Sequence, residues 1–365
     1  MAVMSGIRPI DGPVRRWRGR SRAVVFAALL AGCGGKVGKH VDDAEVGPRC
    51  LGVDLSTDAR NCGWCGHDCL GATCGNSVCA PTALASNLEG PTEIALDETN
   101  VYFASLGAIA SLPKAGGAAR SAAAGLATVH ALALDATSVH FVEGTPARAF
   151  RVPKTGGEKA SDVPATNPID TVVCGPDHWG STGDGGIVYE SLLSKLTRST
   201  VADVVARRLA CAPDTLVWLD FPLDAAHGRV VRFADFPVKG TVLVADVPFP
   251  QRIVTDGKAA YFTSGRTAGL VQSVPLAGGA VTSYASGQLD AEGIAVDEGY
   301  VYWVTVGELP EEGTVMRSSK TTRTPEFLAY FQRRPIGLAV DATHVYWTAQ
   351  GQSGKANGGV YRVPK

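Results

Sequence analysis

The chain has 365 residues, 45% apolar and 19% charged, which argues against a disordered polymer and leaves room for one large domain or two ordinary ones. The formal net charge is −1, but residues 1–32 carry six Arg against one Asp, so the remainder holds 28 basic against 34 acidic residues, net −6. A mildly acidic body with 7% aromatic residues and no basic blocks argues against nucleic acid as a partner, because phosphate binding needs a basic face.

In chain order, Arg15, Arg16, Arg18, Arg20 and Arg22 precede an apolar run over 23–30. That run is too short to cross a bilayer, for which ~20 residues are needed. It ends in Leu30-Ala31-Gly32-Cys33, which resembles the lipobox of bacterial lipoproteins. In that family the Cys is acylated and becomes the mature N-terminus. The resemblance implies a signal peptide over 1–32, lipidation at Cys33, a tether over 33–49 and a lipid bilayer as partner. It places the chain in the bacterial cell envelope, and Gly34 after the Cys favours the outer membrane.

Export sets an oxidising context for the other eight cysteines: Cys50, Cys62, Cys65, Cys69, Cys74 and Cys79, then Cys174 and Cys211. An even count there reads as three disulfides plus one. The stretch 50–80 is turn-rich and has too few apolar residues for a core, so cross-links must hold it. Cys62-x-x-Cys65 with His67 is also a zinc-type spacing. The Asn61-Cys62-Gly63-Trp64-Cys65-Gly66-His67-Asp68-Cys69 run resembles the NCGxCGxxC modules of bacterial surface lipoproteins and plant stigma-specific proteins. That resemblance implies no activity, and the pairing stays open. A spacer or small recognition knob is expected.

Residues 81–365 repeat one pattern. Pro91-Thr92-Glu93-Ile94-Ala95-Leu96-Asp97 with Val101-Tyr102-Phe103 returns as Ile294-Ala295-Val296-Asp297 with Val301-Tyr302-Trp303, and as Leu338-Ala339-Val340-Asp341 with Val345-Tyr346-Trp347. Anchors at 97, 135, 175, 212, 256, 297 and 341 give a period near 40, the signature of a propeller. The first strand of each repeat is expected to be the doubly buried one, with the Asp capping the turn after it. The chain ends on a third strand, and residues 82–88 look like an orphan fourth strand. The expected fold is therefore all-β: a seven-bladed β-propeller closed by an N-terminal strand, with six or eight blades as alternatives, preceded by the disulfide module. The repeat resembles the YWTD and NHL propellers, although Thr348 and Ala349 follow Trp347 where YWTD repeats carry a closing Asp.

No nucleophile elbow, zinc-protease helix or phosphate-binding loop occurs, and neither a cofactor nor a metal site is expected. Cys174 and Cys211 are read as sharing one register of adjacent blades, close enough to bridge. The column before the first strand reads Thr92, His130, Asp170, Arg207, Gln251, Glu292 and Ile336, with Glu93, Arg208 and Arg252 alongside. It is expected at one channel mouth, as a solvated funnel or a ligand ring. Loops over 220–228 and 307–313, the latter with Glu308, Glu311 and Glu312, extend the same face.

Two functional readings follow. The favoured one is a monomeric surface- or periplasm-facing lipoprotein that acts as a binding or scaffold module toward an extracytoplasmic protein or glycan. The other is a metal-dependent propeller enzyme, a lactonase-like hydrolase or a lyase, built on His130, Asp170 and Glu292.

Overall fold

The computed structural model describes residues 50–365 apart from 163–166, 176, 183–185, 192–196, 202–204, 214, 222–225 and 234–239. Cys33, the signal region and the tether lie outside the described residues. Those described fall within one compact unit, Pro48–Lys365.

Seven four-stranded antiparallel sheets are present among the described residues. Blades 1 to 6 each use one continuous stretch: 94–124, 129–161, 168–201, 206–248, 250–288 and 291–332. Blade 7 is composite. It takes Pro335–Val340, His344–Ala349 and Gly358–Pro364 from the C-terminal end and Thr82–Leu88 from the N-terminal end. The first strand of each blade touches that of the next, and Pro335–Val340 touches Ile94–Leu96, so seven inner strands close a ring around a channel.

The burial pattern corrects one expectation. The doubly buried strand is the second of each blade, not the first: His344–Ala349 and Tyr300–Thr305 are buried from their second residue onward. Ile94–Leu96, by contrast, is half-buried throughout. The reason is geometric. The first strand has the channel on one side, whereas the second packs between its neighbours in the sheet and the flanking blades. Val-Tyr-Trp and Val-Tyr-Phe therefore form the core, with Trp218, Trp303, Trp347, Phe103 and Phe262 fully buried.

The Asp column is a structural clasp. Asp97, Asp256, Asp297 and Asp341 each accept the amides two and three residues on with one carboxylate oxygen. In the last three the other oxygen accepts the hydroxyl of the Tyr five residues on: Tyr261, Tyr302 and Tyr346. A Lys from the next blade closes each clasp, Lys154 to Asp97, Lys320 to Asp256, Lys365 to Asp297 and Lys114 to Asp341, at 2.6–3.2 Å. Each ammonium also lies over the clasp's Tyr ring, 4.5–6.0 Å from its centroid. In blade 2 His140 takes the place of the Tyr, held between Asp135 and Asp162.

Blades 3 and 4 lack this Asp, and there Cys174 and Cys211 form a disulfide between them, with Cα atoms 5.9 Å apart. Their registers differ by one residue, contrary to the sequence alignment. Cys174 pairs with Asp177 as Ala212 pairs with Thr215, whereas Cys211 pairs one step earlier with Leu216. Cys174 thus stands in the Asp position of its blade.

The cysteine module is docked rather than free. Its bridges are Cys50–Cys65, Cys62–Cys74 and Cys69–Cys79. Both thiols of the zinc-type spacing are therefore committed to different disulfides. Cys62, Cys69 and Cys79 are buried in one cluster with Tyr302, Leu328, Val345, Trp347 and Val363 of blades 6 and 7. Arg317 is sandwiched between Trp64 and Tyr300, 4.2 and 4.4 Å from the two ring centroids, with Glu326 on its Nε. His67 stacks on Trp64 at 3.7 Å and bonds the Cys62 carbonyl. Burial holds this imidazole below its ordinary pKa.

One strained residue stands out on the mouth side. The last turn of the outer strand has positive φ at Asn87, Gly125 and Gly287, and in the same position of blade 6 at Phe331 (φ 59°). Phe331 is 81% exposed, so its side chain returns little packing for a backbone conformation that β-carbons disfavour.

Two outcomes follow. Burial raises the Asp97 carboxyl, but the Asn100 and Thr99 amides and Lys154 outweigh it and hold it at about 2. A folded pKa below the unfolded value near 4 means stability present above that value and lost as pH falls toward 2. Lys154→Met should therefore cost ~1 kcal/mol at pH 7, and the difference from the parent should shrink at pH 2 in denaturant titrations; a pH-independent difference would show the contact is packing alone. Phe331→Gly should raise stability by about 0.5–1 kcal/mol, and a loss in the same titration would reveal packing that its exposure does not suggest.

Candidate functional site

The channel mouth is built by a local irregularity repeated around the ring. Six of the seven inner strands break register with their second strand within their first residues, at Val129/Ala131, Pro168/Thr171, Ala206/Arg208, Pro250/Ile253, Ala291/Ile294 and Pro335/Leu338. A bulge suspends the strict in-out alternation, so two consecutive residues serve the mouth and the channel. In blade 4 Arg207 and Arg208 both line the mouth, and in blade 5 Gln251 lines the mouth while Arg252 lines the channel below.

The sequence column is thus split between two levels. The pairing of Pro168 with Thr182 matches that of Pro250 with Ser264, so Asp170 aligns with Arg252 and Glu93, and Ile169 occupies the level of Gln251. The one-residue misalignment in blade 3 has the same origin as that of Cys174.

The lower level is a charge network of about 190 Å³ lined by Glu93, Asp170, Arg208 and Arg252. Arg252 forks onto Glu93 at 2.8 and 3.2 Å and reaches Glu292 at 4.0 Å. Asp170 accepts the Leu209 and Thr171 amides at 2.8 and 2.9 Å. Burial raises the Glu93 carboxyl, but Arg252 and Arg208 outweigh it and leave it below its ordinary value. Burial dominates at Asp170, pushing it to about 6, and also raises Glu292. Arg208 is lowered by its neighbour Arg252 and by burial. In blades 6 and 7 this level holds Gly293 and Gly337, whose missing β-carbons let adjacent inner strands approach: a Cβ there would lie 2.3 Å from the Ile336 carbonyl oxygen and 2.4 Å from that of Thr92.

The upper level opens into a cleft of about 500 Å³ over blades 2 to 5. Its described lining includes His130, Arg207, Arg208 and Arg266 with Phe221 and Phe249, and no carboxylate. Arg207 donates Nε to the Phe221 carbonyl at 2.9 Å and lies over the Phe221 ring. Arg266 lies over Phe249 at 5.3 Å. Two described acids of these loops, Glu143 and Asp220, have partners of their own. Glu143 takes the Ala127 amide and Lys159, and Asp220 takes the Val205 amide and Arg229. Past Gln251 and Arg266 the same face turns acidic, in a second cleft with Asp290, Glu292 and Glu308.

Of the sequence column, His130, Arg207 and Gln251 share the basic cleft, Glu292 joins Gln251 in the acidic one, and Asp170 lies below. Thr92 lines a separate cleft with Glu89, Arg334 and Gln350. His130, Asp170 and Glu292 do not converge as ligand atoms. Among the described residues the one such group is Cys62, Cys69 and Cys79, all in disulfides. Sequence reading missed Arg266, Phe221 and Phe249. The turn at Ser264-Gly265-Arg266, where Gly265 donates to the Pro248 and Phe249 carbonyls, was the available signal. Of the loop over 220–228, residues 222–225 lie outside the described residues.

Neither the family models nor the curated proteins contain a match to this sequence. Among solved structures the chain is similar to one titled YCF48 bound to D1 peptide, with TM-score 0.55 and 10% identity over 78% of this chain and 96% of that one. It is also similar to the computationally designed Ika8 protein, with TM-score 0.53 and 13% identity over 78% and 98%. At such identities the likeness shows fold alone, and the class it defines is the β-propeller.

Removing one partner of the channel pair tests its energetics. Arg252→Met should cost ~3–5 kcal/mol by removing the guanidinium paired with the buried Glu93 carboxylate, and Glu93→Leu added to it should restore most of the loss in urea unfolding. A single-variant cost below ~1 kcal/mol would mean that water already solvates the pair.

Proposed function

We propose that this protein is an envelope lipoprotein whose propeller binds a protein partner at the channel mouth. The observation that carries the binding reading is the mouth itself, a preformed cleft with basic and aromatic groups held in place by the scaffold, continuous with an acidic one. Concave sites with a few fixed polar groups are where propellers and other scaffolds place recognition. The structural neighbour titled as bound to a peptide supports a peptide or protein as the class of partner. The lipobox-like Leu30-Ala31-Gly32-Cys33 and four disulfides, bonds that persist in oxidising compartments, support export and anchoring. No helix among the described residues is long and apolar enough to cross a membrane.

The test uses the full chain, solubilised from membranes in detergent, as bait in envelope extract beside a variant carrying Arg207→Ala, Gln251→Ala and Arg266→Ala with unchanged melting. A partner retained by the parent and lost by the variant is the expected result. Equal capture by both would move the binding surface elsewhere, with the cysteine module first in line.

A further inference from the structure

The outer strand of blade 6, Pro325–Gln332, departs from its sister strands at three exposed positions. Met316 pairs with Phe327, Val315 with Ala329 and Gly313 with Gln332, as in blade 5 Gln272 pairs with Ser283, Val271 with Ala285 and Gly269 with Gln288. Phe327, Tyr330 and Phe331 therefore stand where blade 5 has Ser283, Ser286 and Gly287. The same positions hold Ser121, Ala124 and Gly125 in blade 1 and Ala83, Ser86 and Asn87 in blade 7. Every one of these residues is exposed. Where the repeat elsewhere turns small or polar groups to water, blade 6 turns out three aromatic rings.

The rings form one patch. Phe327 and Tyr330 stack with centroids 4.5 Å apart, and Phe331 follows Tyr330 at 6.3 Å. Leu328 and Ala329 between them already fill the core side of the strand, so the exposed rings are not needed to pack it. Phe331 also bears the backbone strain that Gly or Asn avoids in the sister blades. An apolar cluster kept in water at a conformational cost marks an interaction surface. Its place in the chain says which surface it meets. Sixteen residues, 34–49, lead from Cys33 to Cys50, a covalent reach of no more than about 60 Å. Cys50 is bridged to Cys65, next to Trp64, whose ring lies 4.2 Å from the Arg317 guanidinium. Arg317 donates Nε at 2.8 Å to Glu326, the residue before Phe327. The point from which the tether leaves the module is thus fixed beside the aromatic strand. Glu326 and Glu311 are neutralised by Arg317 and Arg333, while Arg323 is exposed in the hairpin before the strand. Aromatic rings beside arginine have the composition that settles at the headgroup level of a bilayer.

We propose that Phe327, Tyr330 and Phe331 make a second, non-covalent contact with the lipid surface, so that the outer edge of blade 6 rests on the headgroup region of the bilayer that holds the acylated Cys33. This rests on the reading of the chain as an envelope lipoprotein and adds which side of the propeller meets the membrane. The tether raises the local concentration of lipid at this edge, so a patch of three rings suffices there without binding free vesicles strongly.

The experiment reconstitutes the full chain, extracted from membranes, into vesicles of phosphatidylethanolamine and phosphatidylglycerol. Phe331→Trp and Phe327→Trp serve as reporters, with Ala160→Trp on the outer strand of blade 2 as the control, each read as emission above that of the parent. Both blade 6 reporters should lose emission when brominated phospholipid is included and should be shielded from aqueous iodide, whereas the control should respond to iodide alone. Giving the Phe331→Trp chain the residues of blade 5 at the other two positions, Phe327→Ser and Tyr330→Ser, should reduce the quenching by bromolipid. Equal access of iodide to all three reporters would overturn the proposal, and so would bromolipid quenching of all three. Shielding from iodide without bromolipid quenching would place a protein surface, such as a second copy of the chain, on the patch and overturn it as well. Mass spectrometry of the purified chain shows whether Cys33 is acylated, and flotation shows whether the chain is held on vesicles. An acylated, floating chain whose reporters stay in water loses the edge contact alone; a chain neither acylated nor held on vesicles loses the lipoprotein reading and this proposal with it.

Discussion

Everything at the mouth depends on closure of the ring. The outer strand Thr82–Leu88 pairs with Gly358–Pro364, joining residues 270 to 280 apart in sequence through Thr82–Arg362, Ser86–Gly359 and Leu88–Gly358. Without this pairing blade 7 would present an open edge, and Pro335–Val340 would not be held against Ile94–Leu96. Glu93 and Arg252, 159 residues apart, meet only because the inner strands stand in a closed circle. The final Lys365 completes a clasp on Asp297, so the C-terminal end is fastened both by a sheet and by an ion pair.

Around the ring the blades are tied to one another by a repeated device and, at one junction, by its replacement. Four Asp–Lys–Tyr clasps join blades 7 to 1, 1 to 2, 5 to 6 and 6 to 7. Between blades 3 and 4 the Asp is missing and a disulfide takes over. Leu276, where other blades place the clasping Lys, is buried at the blade 4 to 5 junction, which again lacks the Asp. At these two junctions, which lack the Asp, a disulfide and a buried leucine stand in place of the clasp. The cysteine module adds a further tie, since its buried half-cystines pack with the cores of blades 6 and 7.

Much of this was legible in the sequence for physical reasons. Val-Tyr-Trp, the Asp turn and the Pro-Gly-Gly corner each have a local cause, and local causes repeat visibly. The orphan strand at 82–88 was legible because a propeller leaves no edge unpaired. Other features were not. Alternation places one residue in two toward the channel, and the bulges break that rule, so Glu93, Arg208 and Arg252 read as neighbours of the site rather than part of it. The anchor of blade 3 slipped by one because Cys174 stands in the Asp position and leaves no carboxylate to align. Arg266, Phe221 and Phe249 sit in loops without a repeat, and their convergence follows from blade order alone. The docking of the module depends on Arg317 meeting Trp64 across the chain, a contact that no spacing announces.

The picture is of a ring with one chemically patterned face, its blades tied to one another by clasps and a disulfide. The claim beneath all of it is that the two ends of the propeller share blade 7. Hydrogen exchange resolved by mass spectrometry on the full chain addresses this directly. The account predicts that amides over 82–88 are as protected as those over 358–364 and that both segments lose protection together as denaturant is raised. Rapid exchange over 82–88 with protection retained over 358–364 would contradict closure, and with it the geometry of the mouth.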